Sequence, residues 1–159
     1  MRTTATYSRE QYELVKDSRR VLLDYCKTIA PADFLAENSS FGHGGSMRNL
    51  LVHIANTYQY WIDHISLRRT MCFFEYESNK VVDDAIRLFD LVDESMHDFT
   101  DSMESGEWEI PFEINGIRRT AKPLQLFTHV ITHEFHHKGQ VLSVSRHLGY
   151  VPIDTDIMR

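Results

Sequence analysis

His133 and His137 stand one helical turn apart in a chain that carries nine histidines. On an α-helix that spacing places two imidazoles on one face, within reach of a single ion at about 2.0–2.1 Å per nitrogen. Their direction follows from the surrounding periodicity. With Val130 as reference and about 100° per residue, Leu126, Val141, Val144 and Leu148 fall within roughly 40° of one direction. His137 lies inside that apolar stripe and His133 about 60° from its centre, while His129, His136 and His147 lie roughly 100–120° away. Two imidazoles on a buried face need partners, because an unpaired buried polar group costs about 1–3 kcal/mol. A metal ion meets that need, and hydrogen bonding within a core is the plainer alternative. A third donor favours the metal. His53, in the run Leu50-Leu51-Val52-His53-Ile54-Ala55-Asn56, sits beside Leu50 and Thr57 at the edge of another helix's apolar face. Bundle cores build metal sites from facing helices in this way. His64 lies on the same side further along and is the reserve donor.

His133-Glu134-Phe135-His136-His137 also reads as H-E-x-x-H, the helix motif of zinc proteases. The extended form places Gly three and His six residues after the second histidine; here those positions are Gln140 and Ser143. The other common form takes a later Glu as third ligand, and no Glu follows Glu134. A protease is therefore a poor reading. Glu134 still falls about 40° from the stripe centre. It is the candidate catalytic carboxylate, either as a base toward metal-bound water or as a group that orients a ligand. Pairing with an arginine, or a structural hydrogen bond, is its ordinary role.

Three neutral imidazoles leave a divalent ion at +2. Structural zinc sites close with four protein ligands, whereas catalytic ones keep a position for water. Such an ion lowers the pKa of bound water toward about 7 or binds a thiolate directly. The expected activities are hydrolysis, or transfer of a small thiol to an electrophile. The alternatives are a non-catalytic module that binds a metal or small ligand, and a metal that only ties two helices together. Imidazole is a borderline donor and does not name the metal. Tyr58, Tyr60, Trp61 and Phe135 are candidate pocket walls, although aromatics at helical spacing more often belong to a core. Glu75, Glu77, Asp83 and Asp84 read as a solvated face.

Four helical stretches must position these residues. The first is expected from Ser8, capped with Gln11, to about Ile29, with Val15, Leu22, Cys26 and Ile29 as its stripe and Pro31 past its end. Asn38-Ser39-Ser40 and Gly42, Gly44 and Gly45 then form a loop. The second runs from Ser46, its N-cap, to about Arg69, with Leu50, Ile54, Tyr58, Trp61 and Ile65 on its inner face. The third runs from about Val81 to Met103, with Gly106 beyond. Trp108, Ile110 and Phe112 alternate before Asn115-Gly116, a two-residue hairpin turn, so a small β-hairpin is expected between helices three and four. The fourth runs from Thr120 as N-cap, through Pro123 in its first turn, to Leu148, and stops at Gly149. The fold class is all-α: an antiparallel four-helix bundle with a hairpin insertion, one domain over residues 1–159.

Bulk composition agrees. Hydrophobic residues at 42% and charged residues at 25% fit a folded globule rather than a disordered chain. A net charge of -6 repels phosphate backbones, so nucleic acid is not an expected partner. No apolar run approaches the ~18 residues of a membrane span. The polar start, Met1 to Arg9, has no signal-peptide core. Cys26 and Cys72 lie far apart without a C-x-x-C pattern, which fits two packed free thiols in a reducing cytoplasm.

Two segments resemble the DinB superfamily, four-helix bundles with a three-histidine metal site. One is Met47-Arg48-Asn49-Leu50-Leu51-Val52-His53-Ile54-Ala55 with Tyr60-Trp61. The other is Pro123-Leu124 through His129-Val130-Ile131-Thr132-His133-Glu134-Phe135-His136-His137-Lys138-Gly139-Gln140-Val141. The second is the more diagnostic, with Lys138 where arginine is frequent. The resemblance implies His53, His133 and His137 as ligands to nickel, zinc, iron or manganese, and a homodimer. It also implies a thiol-dependent transferase activity in some relatives.

Overall fold

The computed structural model describes residues 3–37, 39–41, 45–105 and 108–159. Asn38, Gly42 and Gly44 of the expected loop, and Gly106 past the third helix, lie outside the described residues. The chain is mostly helical, with five α-helices and one antiparallel hairpin among the described residues.

Helix α1 spans Thr4–Cys26. It begins earlier than the sequence suggests: Thr3, not Ser8, is the N-cap, with its hydroxyl accepting from the Thr6 N–H at 3.2 Å. Ser8 is instead buried within the helix, because Ala5, Ser8 and Tyr12 continue the packed face back to the first turn. Pro31 does not merely follow a helix end; it opens a short helix α2, Pro31–Leu35, at a position where its missing N–H has no bond to lose.

Helix α3, Met47–Tyr58, starts where expected, with Ser46 Oγ accepting from the Asn49 N–H at 3.0 Å. The turn before it needs glycine: Gly45 has φ +64, and a Cβ there would collide with the Ser39 carbonyl. Ten of the twelve residues of α3 are buried, and His53 and Thr57, one turn apart, are the two that are not. Beyond Tyr58 the single long helix of the sequence reading gives way to a π-helical segment, Gln59–Ser66, continued by an i→i+5 bond from the Leu67 N–H to the Ile62 carbonyl at 2.8 Å. Arg68, at φ 58, ends it in the left-handed region. Buried Asp63 fixes the segment to its surroundings, accepting from Ser95 Oγ at 2.9 Å and Arg69 Nη1 at 3.0 Å.

Helix α4 spans Val82–Ser102. Asp84 is not simply solvated: its carboxylate accepts from the Lys80 and Val81 N–H groups and caps the helix. The hairpin is as expected, β1 Ile110–Ile114 paired with β2 Ile117–Ala121, around Asn115 and Gly116 at φ 53 and 75. It extends through Thr120, which pairs with Pro111, so Thr120 cannot cap the next helix. Helix α5, Pro123–His147, is capped by Lys122 instead, whose N–H donates to Gln125 Oε1 at 2.7 Å. It stops at Gly149, φ 93, with Gly149 and Tyr150 N–H groups bonded back to Arg146 and Ser145 carbonyls.

The core lies between α1, α3, α4 and α5 and holds Leu22, Leu50, Ile54, Ile62, Met96, Phe99, Phe127 and Val130, all almost fully buried. Helix α3 packs on α4 and α5, and α1 packs on the same two. No helix among the described residues is long and apolar enough to cross a membrane.

The two cysteines differ, although the sequence suggests packing for both. Cys26 is fully buried and its thiol is pushed up to about 12 by burial. Cys72 is exposed, in the irregular segment between the π-helix and α4. A thiol reagent at neutral pH should therefore label one cysteine per native chain and both after denaturation, with Cys72→Ser removing the native reaction. Labelling of both in the native protein would contradict this packing.

Candidate metal centre

The histidines meet where the open strip of α3 faces α5. His53, His133 and His137 each offer one ligand atom, and these atoms all lie within 4.8 Å of one another. The ring centroids of His53 stand 4.9 Å from those of His133 and 4.6 Å from those of His137. The His133 and His137 Nε2 atoms approach to 3.1 Å. Two nitrogens on one tetrahedral ion at about 2.05 Å are separated by about 3.3 Å, so this spacing is compatible with a shared ligand sphere as well as with an N–H···N hydrogen bond between the two rings. All three residues are half-buried.

The neighbours set the tautomer of His137. Its Nδ1 lies 2.7 Å from Gln140 Oε1, and the Gln140 amide nitrogen lies 3.2 Å from His136 Nε2. An amide oxygen only accepts, so Nδ1 carries the proton and Nε2 presents its lone pair toward His133. Burial first, and then the His137 and His53 rings, push the His133 imidazole down to about 3. It is neutral at working pH, as a ligand must be. His133 Nδ1 is buried without a hydrogen-bond partner, while Thr57 Oγ1 lies 3.5 Å from Nε2. Strong ligation at Nε2 would offset the cost of that orphaned atom. The donor set and its spacing fit a transition-metal ion. Among the described residues no cysteine or carboxylate joins the cluster.

The remaining candidates fall elsewhere. His129 packs edge-on against Trp61 at 5.1 Å and tilts toward His133 at 6.0 Å. His64 is exposed and meets Tyr60. Tyr60 and Trp61 do line a cleft with His53. Tyr58 is fully buried, and Phe135 lies under the Lys138 ammonium at 4.2 Å.

Glu134 points inward, as its angle suggests, and is wholly buried. Its Oε1 accepts from Arg19 Nε at 2.9 Å; its Oε2 accepts from Arg19 Nη2 at 3.0 Å and from the Tyr58 hydroxyl at 2.7 Å. Burial first, then the Glu134 carboxylate, hold the Tyr58 phenol well above its usual value, so it remains a donor. Arg19, 3% exposed, also binds Asp93 Oδ1 at 2.7 Å and Tyr12 at 3.0 Å and lies over the Phe89 ring at 4.4 Å. One turn on, buried Lys138 donates to Ser18 Oγ and to the Thr155 carbonyl. These two buried cations were missed in the sequence. Arg19 carried a signal, since it falls at helical spacing between Val15, Leu22 and Cys26 in the stripe of α1. Lys138 lies about 80° from Val130, outside the stripe first drawn, and its burial had no such signal. They move the buried face of α5 toward Phe127, Ile131, Glu134 and Lys138, so His133 and His137 sit on its flank rather than at its centre, which is why they stay half-buried.

A family model, the DinB family, matches residues 1–159. The chain belongs to the DinB family. No curated protein matches its sequence. Membership spans the whole chain, hairpin included, and agrees with a three-histidine cluster carried by α3 and α5 of a DinB protein.

Arg19→Ala leaves Glu134 and Asp93 without their cation, so urea unfolding should show a loss of about 3–5 kcal/mol, while the paired Arg19→Met, Glu134→Leu variant recovers most of it. A loss below about 1 kcal/mol for Arg19→Ala would mean that the network is not the anchor described.

Proposed function

We propose that this DinB protein is a metal-dependent enzyme built as an antiparallel four-helix bundle, with one divalent transition metal ion held by His53, His133 and His137. The observation that carries the reading is the convergence of three imidazoles from two helices beside an open cleft. Such an ion supplies a Lewis acid with room for a water or a thiol. Imidazole donors suit nickel, zinc and iron, and family resemblance adds manganese. The reactions it suits are hydrolysis of a small molecule or transfer of a small thiol. A homodimer is the assembly that family resemblance implies, and two free cysteines without a C-x-x-C pattern support a cytoplasmic setting.

The protein's own groups prepare the site. Gln140 holds the His137 ring with its Nε2 lone pair inward. Thr57 Oγ1 donates to the His53 carbonyl at 3.0 Å and lies 3.5 Å from His133 Nε2. The burial that keeps His133 neutral removes competition from protons. For Glu134 we propose a positioning role: both carboxylate oxygens are engaged by Arg19 and Tyr58, which supports orientation of α5 over proton transfer to substrate. A purely structural metal gains less support, because α3 and α5 already pack through Leu50, Ile54, Phe127 and Val130 and the histidines lie at the open edge of that contact.

Titration of chelator-stripped protein with Zn²⁺ tests the reading. At free metal near 100 times Kd the folded state should gain about 2.7 kcal/mol, read as a rise in Tm. His53→Ala, His133→Ala and His137→Ala should each abolish that gain, and Glu134→Gln should keep it from a lower starting Tm. An unchanged Tm with Zn²⁺ and Ni²⁺ alike, or a gain that survives the histidine variants, would contradict the site.

A further inference from the structure

A cleft of about 470 Å³ opens directly on His53, within the size range of small-molecule sites. One wall is the π-helical segment. There Tyr60 and Trp61 stand edge to face, with centroids 5.1 Å apart and planes at 82°, so two flat surfaces meet at a right angle. Both consecutive rings of this π-helical segment line the cleft with His53, and Trp61 also meets Phe112 at 5.3 Å and His129 at 5.1 Å. The opposite wall is the segment carrying Phe73, Phe74 and Tyr76. Asn56 of α3 pins that segment, its Oδ1 accepting from the Phe74 N–H at 2.7 Å and its Nδ2 donating to the Phe74 carbonyl at 3.0 Å. Phe73, beside the pinned Phe74, is nevertheless 48% exposed, a large apolar side chain in the lining of the cleft.

The polar groups decide what the rings would take. Asn56 spends its amide on the wall, and Thr57 donates to the His53 carbonyl. No lysine or arginine is among the described residues that line the cleft; its one formal charge is Glu75. Arg48 comes near but reaches the Tyr76 carbonyl, at 2.8 Å, with the Glu37 and Glu77 carboxylates each 3.5 Å away. An anionic ligand body would lose water there and meet a carboxylate. A flat uncharged one would lie against aromatic faces.

We propose that this cleft binds an uncharged aromatic group of a small-molecule substrate and brings the substrate's reactive end to His53. The reactive end rests on the metal reading of the three histidines; the aromatic site does not.

Calorimetric titration of the full chain with 1-naphthalenemethanol and, separately, 1-naphthalenesulfonate tests this, with metal content measured on the same samples. The alcohol should bind and the sulfonate bind at least about tenfold more weakly. Phe73→Ala and Trp61→Ala should each weaken the alcohol about tenfold with metal content unchanged. Leu91→Ala, an exposed apolar position on α4, should have no effect. Glu75→Lys should narrow the gap between alcohol and sulfonate. Metal loading with no alcohol binding, equal or better binding of the sulfonate, or indifference to both aromatic variants would overturn the aromatic site and leave the metal reading standing. Alcohol binding that responds to Phe73→Ala in a protein that loads no metal would uphold the aromatic site and remove the metal.

Discussion

The buried ion pair between Arg19 and Glu134 fixes how α5 is turned, and the placement of the three-histidine cluster depends on that turn. Apolar burial is non-directional, so it specifies the rotation of a helix on a core only through the fit of its side chains. A carboxylate with no exposed surface cannot turn away, because it would lose a bidentate arginine and a phenol at once. The pair joins α1 to α5, Tyr58 brings in α3, and Asp93 brings in α4. Lys138 repeats the anchoring one turn along α5, through Ser18. With that face fixed, His133, about 100° from Glu134 around the helix, is directed at the strip of α3 that carries His53. The glutamate that makes the sequence look like a protease motif thus binds Arg19 and Tyr58, on the side of α5 turned away from the histidines' flank.

A second constraint comes from α3. A helix buried on nearly all sides has little room for a polar site, and it opens only at His53 and Thr57. The π-helical segment that follows breaks the α-register just past that opening, and such segments recur at functional sites. Asp63, in the middle of the segment, is bonded to Ser95 of α4, and the left-handed Arg68 lies just past its end. The aromatic wall therefore stands on a fixed backbone beside the histidines. A pre-formed wall of this kind lowers the ordering cost of binding.

Much of this was legible in residues whose local chemistry decides their place. The Ser46 cap, the Asn115-Gly116 turn and the Gly149 stop follow from side-chain hydrogen bonding and φ preference alone. The i, i+4 histidines and the inward Glu134 followed from periodicity. What stayed hidden was set by tertiary contact. Thr3 caps α1 because the packed face extends back to Ala5. Thr120 is taken by a strand ladder and so cannot begin α5. The π register leaves no pattern in Tyr60-Trp61, which reads equally well as α-helix. Lys138 has the charge of a surface residue, and it is buried because Ser18 and Thr155 meet its ammonium. Arg19 has the same surface character by type, although its place in the α1 stripe marks it as inward.

The central claim is that three imidazoles from α3 and α5 hold one metal ion. Elemental analysis of untagged protein, purified without chelator and run beside His137→Ala, tests it most directly. The account predicts about one transition metal per chain in the wild type and almost none in the variant. Less than about 0.1 metal per chain in the wild type, unchanged by reconstitution, would contradict it. His53, His133 and His137 would then be hydrogen-bonding residues at the edge of a helical core.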